Sequence, residues 1–79
     1  MKRVSAGFYR DDVNVQLNDK LVLMEASIVM VKSYEWYWIL YSKEGSIELG
    51  GNDLFTSKKD AMLSLKNAIR IGFKTYPNL

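Results

Sequence analysis

Six consecutive residues, Trp36-Tyr37-Trp38-Ile39-Leu40-Tyr41, carry a large apolar or aromatic side chain at every position. Such residues favour a strand, and successive side chains of a strand point to opposite faces. This strand therefore needs cover on both sides, which predicts a central place in a sheet. Only one stretch of the chain, near its C-terminal end, reads as a helix. A helix of about 15 residues shields a single sheet face. The second face must then be covered by other strands, by another molecule or by a second copy of the chain. Left exposed, it would be a patch of the kind that marks interaction sites.

The other strands follow from period and turn chemistry. Val13, Val15 and Leu17 alternate with Asn14 and Gln16, the pattern of a half-buried strand. Asn18-Asp19 supplies a turn, because both types tolerate left-handed backbone and bond locally. Residues 20–32 contain the helix formers Leu, Met, Glu and Ala, but the β-branched Ile28, Val29 and Val31 favour a returning strand. Ser33-Tyr34 separates it from the aromatic strand. Beyond that strand, Lys43-Glu44-Gly45 predicts a three-residue hairpin loop with Gly45 in the left-handed region. In that register Tyr37, Ile39, Tyr41, Ile47 and Leu49 share one face, and Trp36, Trp38, Leu40 and Glu48 share the other.

The helix is predicted over Ser57–Ile71. Thr56 or Ser57 can cap it, with Asp60 three residues after Ser57 in a variant of the capping box. At about 100° per residue, Ala61, Leu65, Ala68 and Gly72 form one narrow stripe, with Met62 and Ile69 on its shoulder. Lys59, Lys66 and Arg70 lie nearly opposite, where an amphipathic helix keeps its charges, with Lys74 a little further round. Leu63 falls in the middle of that basic stripe. Pro77 and the polar residues beside it close the sequence. The expected fold is α+β: one domain over residues 1–79, an antiparallel sheet of three to five strands with one C-terminal helix packed on one face.

Composition excludes several kinds of chemistry. The 79 residues include no cysteine and no histidine, so disulfides, thiolate chemistry and imidazole bases are all lacking. Asp11 and Asp12 are adjacent and would point to opposite sides of a strand, poor geometry for a paired acid and base. Gly50-Gly51-Asn52 lacks the lysine and following helix of a phosphate loop. The chain is expected to be no enzyme and to use no cofactor or metal. Its 11 basic and 9 acidic residues give a net charge of +2, spread evenly along the chain. That is only a faint lean toward nucleic acid. The N-terminus has no apolar signal segment, and no apolar run is long enough to span a membrane, so a cytoplasmic protein is expected.

From residue 36 the pattern W-x-W-x-L-x-x-x-x-G-x-I resembles the β-hairpin of YegP-like domains. Phe55-x-Ser57-Lys58, leading into a helix that opens with Ala61, is similar to that family's step out of the sheet. The likeness covers roughly residues 28–72. It departs in Glu44, where an asparagine is usual, in about one extra residue before Phe55, and in the N-terminal hairpin. It implies a strand-strand-helix fold and no particular activity. The same outline looks like AP2-type and integrase arm DNA-binding domains, in which a sheet enters the major groove.

Two functions follow as expectations. The first is a non-catalytic interaction module, an accessory or inhibitory factor in kind. It would bind a protein partner or itself as a homodimer, with Trp36, Tyr37, Trp38, Tyr41 and Leu63 in the contact, since such residues dominate interface hot spots. The alternative is a sheet-based DNA-binding module using Arg10, Lys20, Lys32 and Lys43 for phosphates or base edges. Glu35, Glu44 and Glu48 alternate among those cations and oppose it.

Overall fold

A computed structural model describes residues 1–74. Five antiparallel strands form one sheet in sequence order: β1 (Lys2–Ser5), β2 (Phe8–Leu17), β3 (Lys20–Lys32), β4 (Glu35–Ser42) and β5 (Glu48–Gly50). The helix α1 (Lys58–Ile71) lies across β2, β3 and β4 on one side. The α+β fold expected from the sequence is thus observed, with the sheet at five strands. Pro77 lies outside the described residues.

Turn chemistry sets the strand pairing. Leu17 faces Lys20 across Asn18-Asp19, and Asn18 takes a left-handed φ of 53°. This aligns Val13, Val15 and Leu17 with Met24, Val22 and Lys20. Ser33-Tyr34 makes the next reversal, with Tyr34 at φ 64° and Lys32 opposite Glu35. A bulge between Met30 and Lys32 absorbs the odd residue there. Ala26 then meets Leu40, and Ile28 meets Trp38.

The β4–β5 hairpin corrects the sequence reading. Gly45 is left-handed as predicted, at φ 79°, but the loop holds four residues rather than three. The Ser42 amide donates to the Ile47 carbonyl (2.9 Å), and the Ile47 amide donates back to the Ser42 hydroxyl (3.0 Å). Ser46 stays in the loop, its hydroxyl donating to Glu44 Oε1 at 2.7 Å. Register therefore moves by one: Leu40 pairs with Leu49, and Tyr41 with Glu48. A one-residue slip exchanges the faces of a strand. Ile47 and Leu49 pack against the core, while Glu48 comes beside Tyr41, the reverse of the expected placement. The physical gain is plain, since the slip buries leucine and leaves the carboxylate wet.

The helix is anchored at both ends. Ser57 is its N-cap and accepts from the Asp60 amide at 3.1 Å, which fills one of the free amides of the first turn. Ala61 and Leu65 are buried against the sheet. Beyond the helix, Phe73 returns to the end of β2. Its amide donates to the Gln16 carbonyl (2.8 Å), and its carbonyl accepts from the Asn18 amide (2.9 Å). The buried cluster is Val15, Leu17, Met24, Ala26, Ile28, Leu40, Ala61 and Leu65. Trp38 lies at its edge, with its indole N–H donating to Ser64 Oγ of the helix at 3.0 Å. Its ring passes so close to Gly50 that a Cβ there would sit 2.5 Å from Trp38 Cζ3, and Gly50 has φ 86°. Only glycine fits that position.

Candidate functional site

Alternation within the strands, together with the pairing, assigns every sheet residue to a face. Val15, Met24, Ala26, Ile28, Trp36, Trp38 and Leu40 share the helix-covered face. The opposite face is bare. Across it run Phe8, Val29 and Tyr37 in one row, then Arg10, Ser27 and Ile39, then Asp12, Glu25, Tyr41 and Glu48, with Leu23 and Leu21 toward the β2–β3 turn.

The middle of this bare face is already roofed by its own side chains. Ile39 is 6% exposed and Ser27 5%, flanked by Tyr37 and Tyr41 on β4 and by Arg10 and Glu25 on the neighbouring strands. Toward the β2–β3 turn the face opens to water. Leu21 is 65% exposed, Leu23 48% and Tyr41 37%. Charge rims this apolar group. Arg10 Nε lies 3.0 Å from Glu25 Oε1, and Lys43 Nζ lies 2.6 Å from Asp12 Oδ1. An apolar centre with a polar, paired rim has the anatomy of a protein contact surface.

Tyr41 is the chemically distinctive member. Burial, and then the negative charge of Glu48 with Tyr37 and Glu25, raises its phenol pKa above the ordinary 10.0. The hydroxyl, neutral at physiological pH as an ordinary phenol is, stays a hydrogen-bond donor further into the alkaline range.

The residues singled out in the sequence do not all converge. Tyr37 and Tyr41 do share the bare face. Trp36 and Trp38 lie under the helix, where Trp36 stacks at a tilt on Tyr9 (6.4 Å between centroids) and Trp38 is tied to Ser64. Their role is packing, and they are withdrawn from the contact surface of the bare face. Leu63, 57% exposed, stands on the helix, away from that surface. Leu21 and Leu23 were missed. Their signal is present in Leu21-Val22-Leu23-Met24, apolar in both parities like the aromatic strand, though the helix covers only one parity.

The nucleic-acid candidates disperse in the same way. Arg10 and Lys43 sit on the bare face but each is paired to a carboxylate, and Lys32 pairs with Glu35 at 3.6 Å. Lys20 is exposed at the β2–β3 turn. A shallow hollow of about 400 Å³ on this side is lined by Lys2, Arg10, Asp11, Asp12, Glu25 and Lys43. Its three cations and three anions balance, so it favours neither phosphate nor a metal ion. Among the described residues no group of three or more His, Cys, Asp or Glu side chains could hold a metal, and no helix is long and apolar enough to cross a membrane. No family model matches the chain, and no match is found among curated proteins or among solved structures.

Proposed function

We propose that this protein is a non-catalytic interaction module that binds a protein partner, or a second copy of itself, through the bare face of its sheet. The observation that carries the reading is the exposure of Leu21, Leu23 and Tyr41 on the face opposite the helix, ringed by the Arg10–Glu25 and Lys43–Asp12 pairs. Covering Leu21 and Leu23 removes apolar surface from water, and the Arg10–Glu25 and Lys43–Asp12 charges beside them already neutralise one another, with the exposed Glu48 next to Tyr41 at the edge. Tyr41 supplies both an apolar ring and a neutral hydroxyl donor, the combination that makes tyrosine a frequent anchor at interfaces. The paired cations give the DNA-binding alternative little support, since phosphate contacts through Arg10, Lys32 and Lys43 would first have to break an ion pair and only Lys20 would not.

The test is association of the native chain and of a Leu23→Ala/Tyr41→Ala double variant, followed through amide NMR spectra at rising protein concentration. The reading expects concentration-dependent shifts confined to β3 and β4, absent in the variant. If the native chain stays monomeric, affinity capture should yield a protein that the variant fails to retain. Binding of duplex DNA at low salt, lost on adding salt and preserved in the variant, would replace this reading with the DNA-binding one.

A further inference from the structure

The flank of α1 that faces β2 has a character unlike the bare sheet face. The half-buried Met62 is the floor of two adjoining depressions. One, of about 640 Å³, lies along the helix between Lys58, Lys59, Leu63 and Lys66. The other, of about 170 Å³, drops between α1 and β2 beside Asp11, Val13, Leu65 and Ile69, with Met1 at its edge. Lys66 borders both. Together they form an apolar trough with a rim of lysines.

The lysine rim differs from the cations that are paired on the sheet side. Arg10, Lys32 and Lys43 are each held by a carboxylate. Among the described residues, Lys59 and Lys66 have no carboxylate within salt-bridge distance, and Lys58 instead lies 3.9 Å over the ring of Tyr9. The larger depression is therefore lined by three lysines and no carboxylate, beside an apolar floor that includes a 57% exposed leucine, and Asp11 enters only the smaller one.

We propose that this trough is a second docking site, for an acidic segment of a partner protein that also carries apolar side chains. Its carboxylates would meet Lys59 and Lys66, and its apolar residues would cover Met62 and Leu63. Methionine suits such a floor, because its flexible thioether adapts to differing side chains. A second copy of this chain is the wrong occupant. A two-fold contact here would set Lys59 and Lys66 against their own copies, and like charges repel. A lipid surface needs apolar side chains that project together, whereas Met62 is recessed and Leu63 projects by itself. Nucleic acid would gain the lysines but cover the apolar floor with nothing suited to it, as no exposed aromatic ring lines the trough for base stacking. The inference is independent of the sheet-face reading, since Lys59, Met62, Leu63 and Lys66 stand on the helix while Leu21, Leu23 and Tyr41 stand on the opposite side of the sheet.

The experiment uses the full chain, isotope-labelled, titrated with a short synthetic peptide of glutamate and leucine at amphipathic helical spacing. Lysine–leucine peptide of the same spacing, anionic phosphatidylserine vesicles and duplex DNA serve as the other arms. The expected result is a response to the acidic peptide centred on Lys59, Met62, Leu63 and Lys66, with the signals of β4 unmoved. Affinity should fall roughly tenfold or more in Leu63→Glu and in Lys59→Glu/Lys66→Glu. All three side chains are exposed, so the fold should tolerate these changes, and a thermal melt of each variant checks it. The charge pair remains informative if Leu63→Glu alone disturbs the helix. The proposal is overturned if the acidic peptide gives no shifts, if the lysine peptide acts equally well, if the shifts fall on the sheet, or if only vesicles or DNA bind.

Discussion

The two faces of β3 are made of similar residues and have opposite fates. Met24, Ala26 and Ile28 point toward the helix and are fully buried, whereas Leu21 and Leu23, from the same strand, stand 65% and 48% exposed. Local propensity does not separate them, because Leu and Met are both strongly apolar. What separates them is cover. A 14-residue helix shields one side of the sheet, and nothing among the described residues lies over the exposed end of the other. Hydrophobicity along a strand thus reports where burial is possible. Which side is buried within the chain depends on where the helix lands.

The contrast can be broken most forcefully from the covered side. Leu40→Ala removes a fully buried side chain opposite Ala26 and Leu49, and should cost about 2–5 kcal/mol in urea denaturation. Gly50→Ala should come next, at about 2–3 kcal/mol. Its methyl would meet the Trp38 ring at 2.5 Å, and its φ of 86° disfavours any side chain. A crystal structure of that variant should show the indole displaced from Ser64. Trp38→Phe keeps an aromatic ring but loses the bond to Ser64 Oγ, and should cost about 1–2 kcal/mol by thermal or urea melts.

On the bare side the smallest effect is expected, and it depends on pH. Tyr41→Phe should leave stability nearly unchanged at neutral pH. The folded-state pKa of Tyr41 is raised above 10.0, so the unfolded chain loses this proton first as pH rises. Stability supported by the neutral phenol is complete below about pH 10, then declines until pH passes the raised folded value. Melts across that alkaline range should show a shallower decline in Tyr41→Phe than in the native chain.

Much of this arrangement was legible in residue order. The alternation of Val13, Val15 and Leu17, the β-branched Ile28, Val29 and Val31 and the capping Ser57 all point to elements that form where expected. The elements that escaped notice are those with little pattern of their own. β1 is four exposed residues that join the sheet because the chain reverses at Gly7, whose carbonyl accepts from the Met30 amide at 2.8 Å. The β4–β5 register turned on the hydroxyls of Ser42 and Ser46, a choice between three and four loop residues that Gly45 satisfies either way. The tryptophans and tyrosines of β4 were correctly divided by parity. Which of the two sets faces inward depends on where the helix packs, with Leu40 buried in the core on the tryptophan side and Trp38 bonded to Ser64 of the helix.

The central claim is that β3 has one core face and one face left for a partner. The most direct test is a urea denaturation of two adjacent substitutions, Met24→Ala and Leu23→Ala, each against the native chain. Met24→Ala is expected to lose about 2–5 kcal/mol, and Leu23→Ala to stay within about 0.5 kcal/mol. Comparable losses at the two positions would contradict the account. They would make Leu23 a core residue and leave the sheet with no bare face to offer.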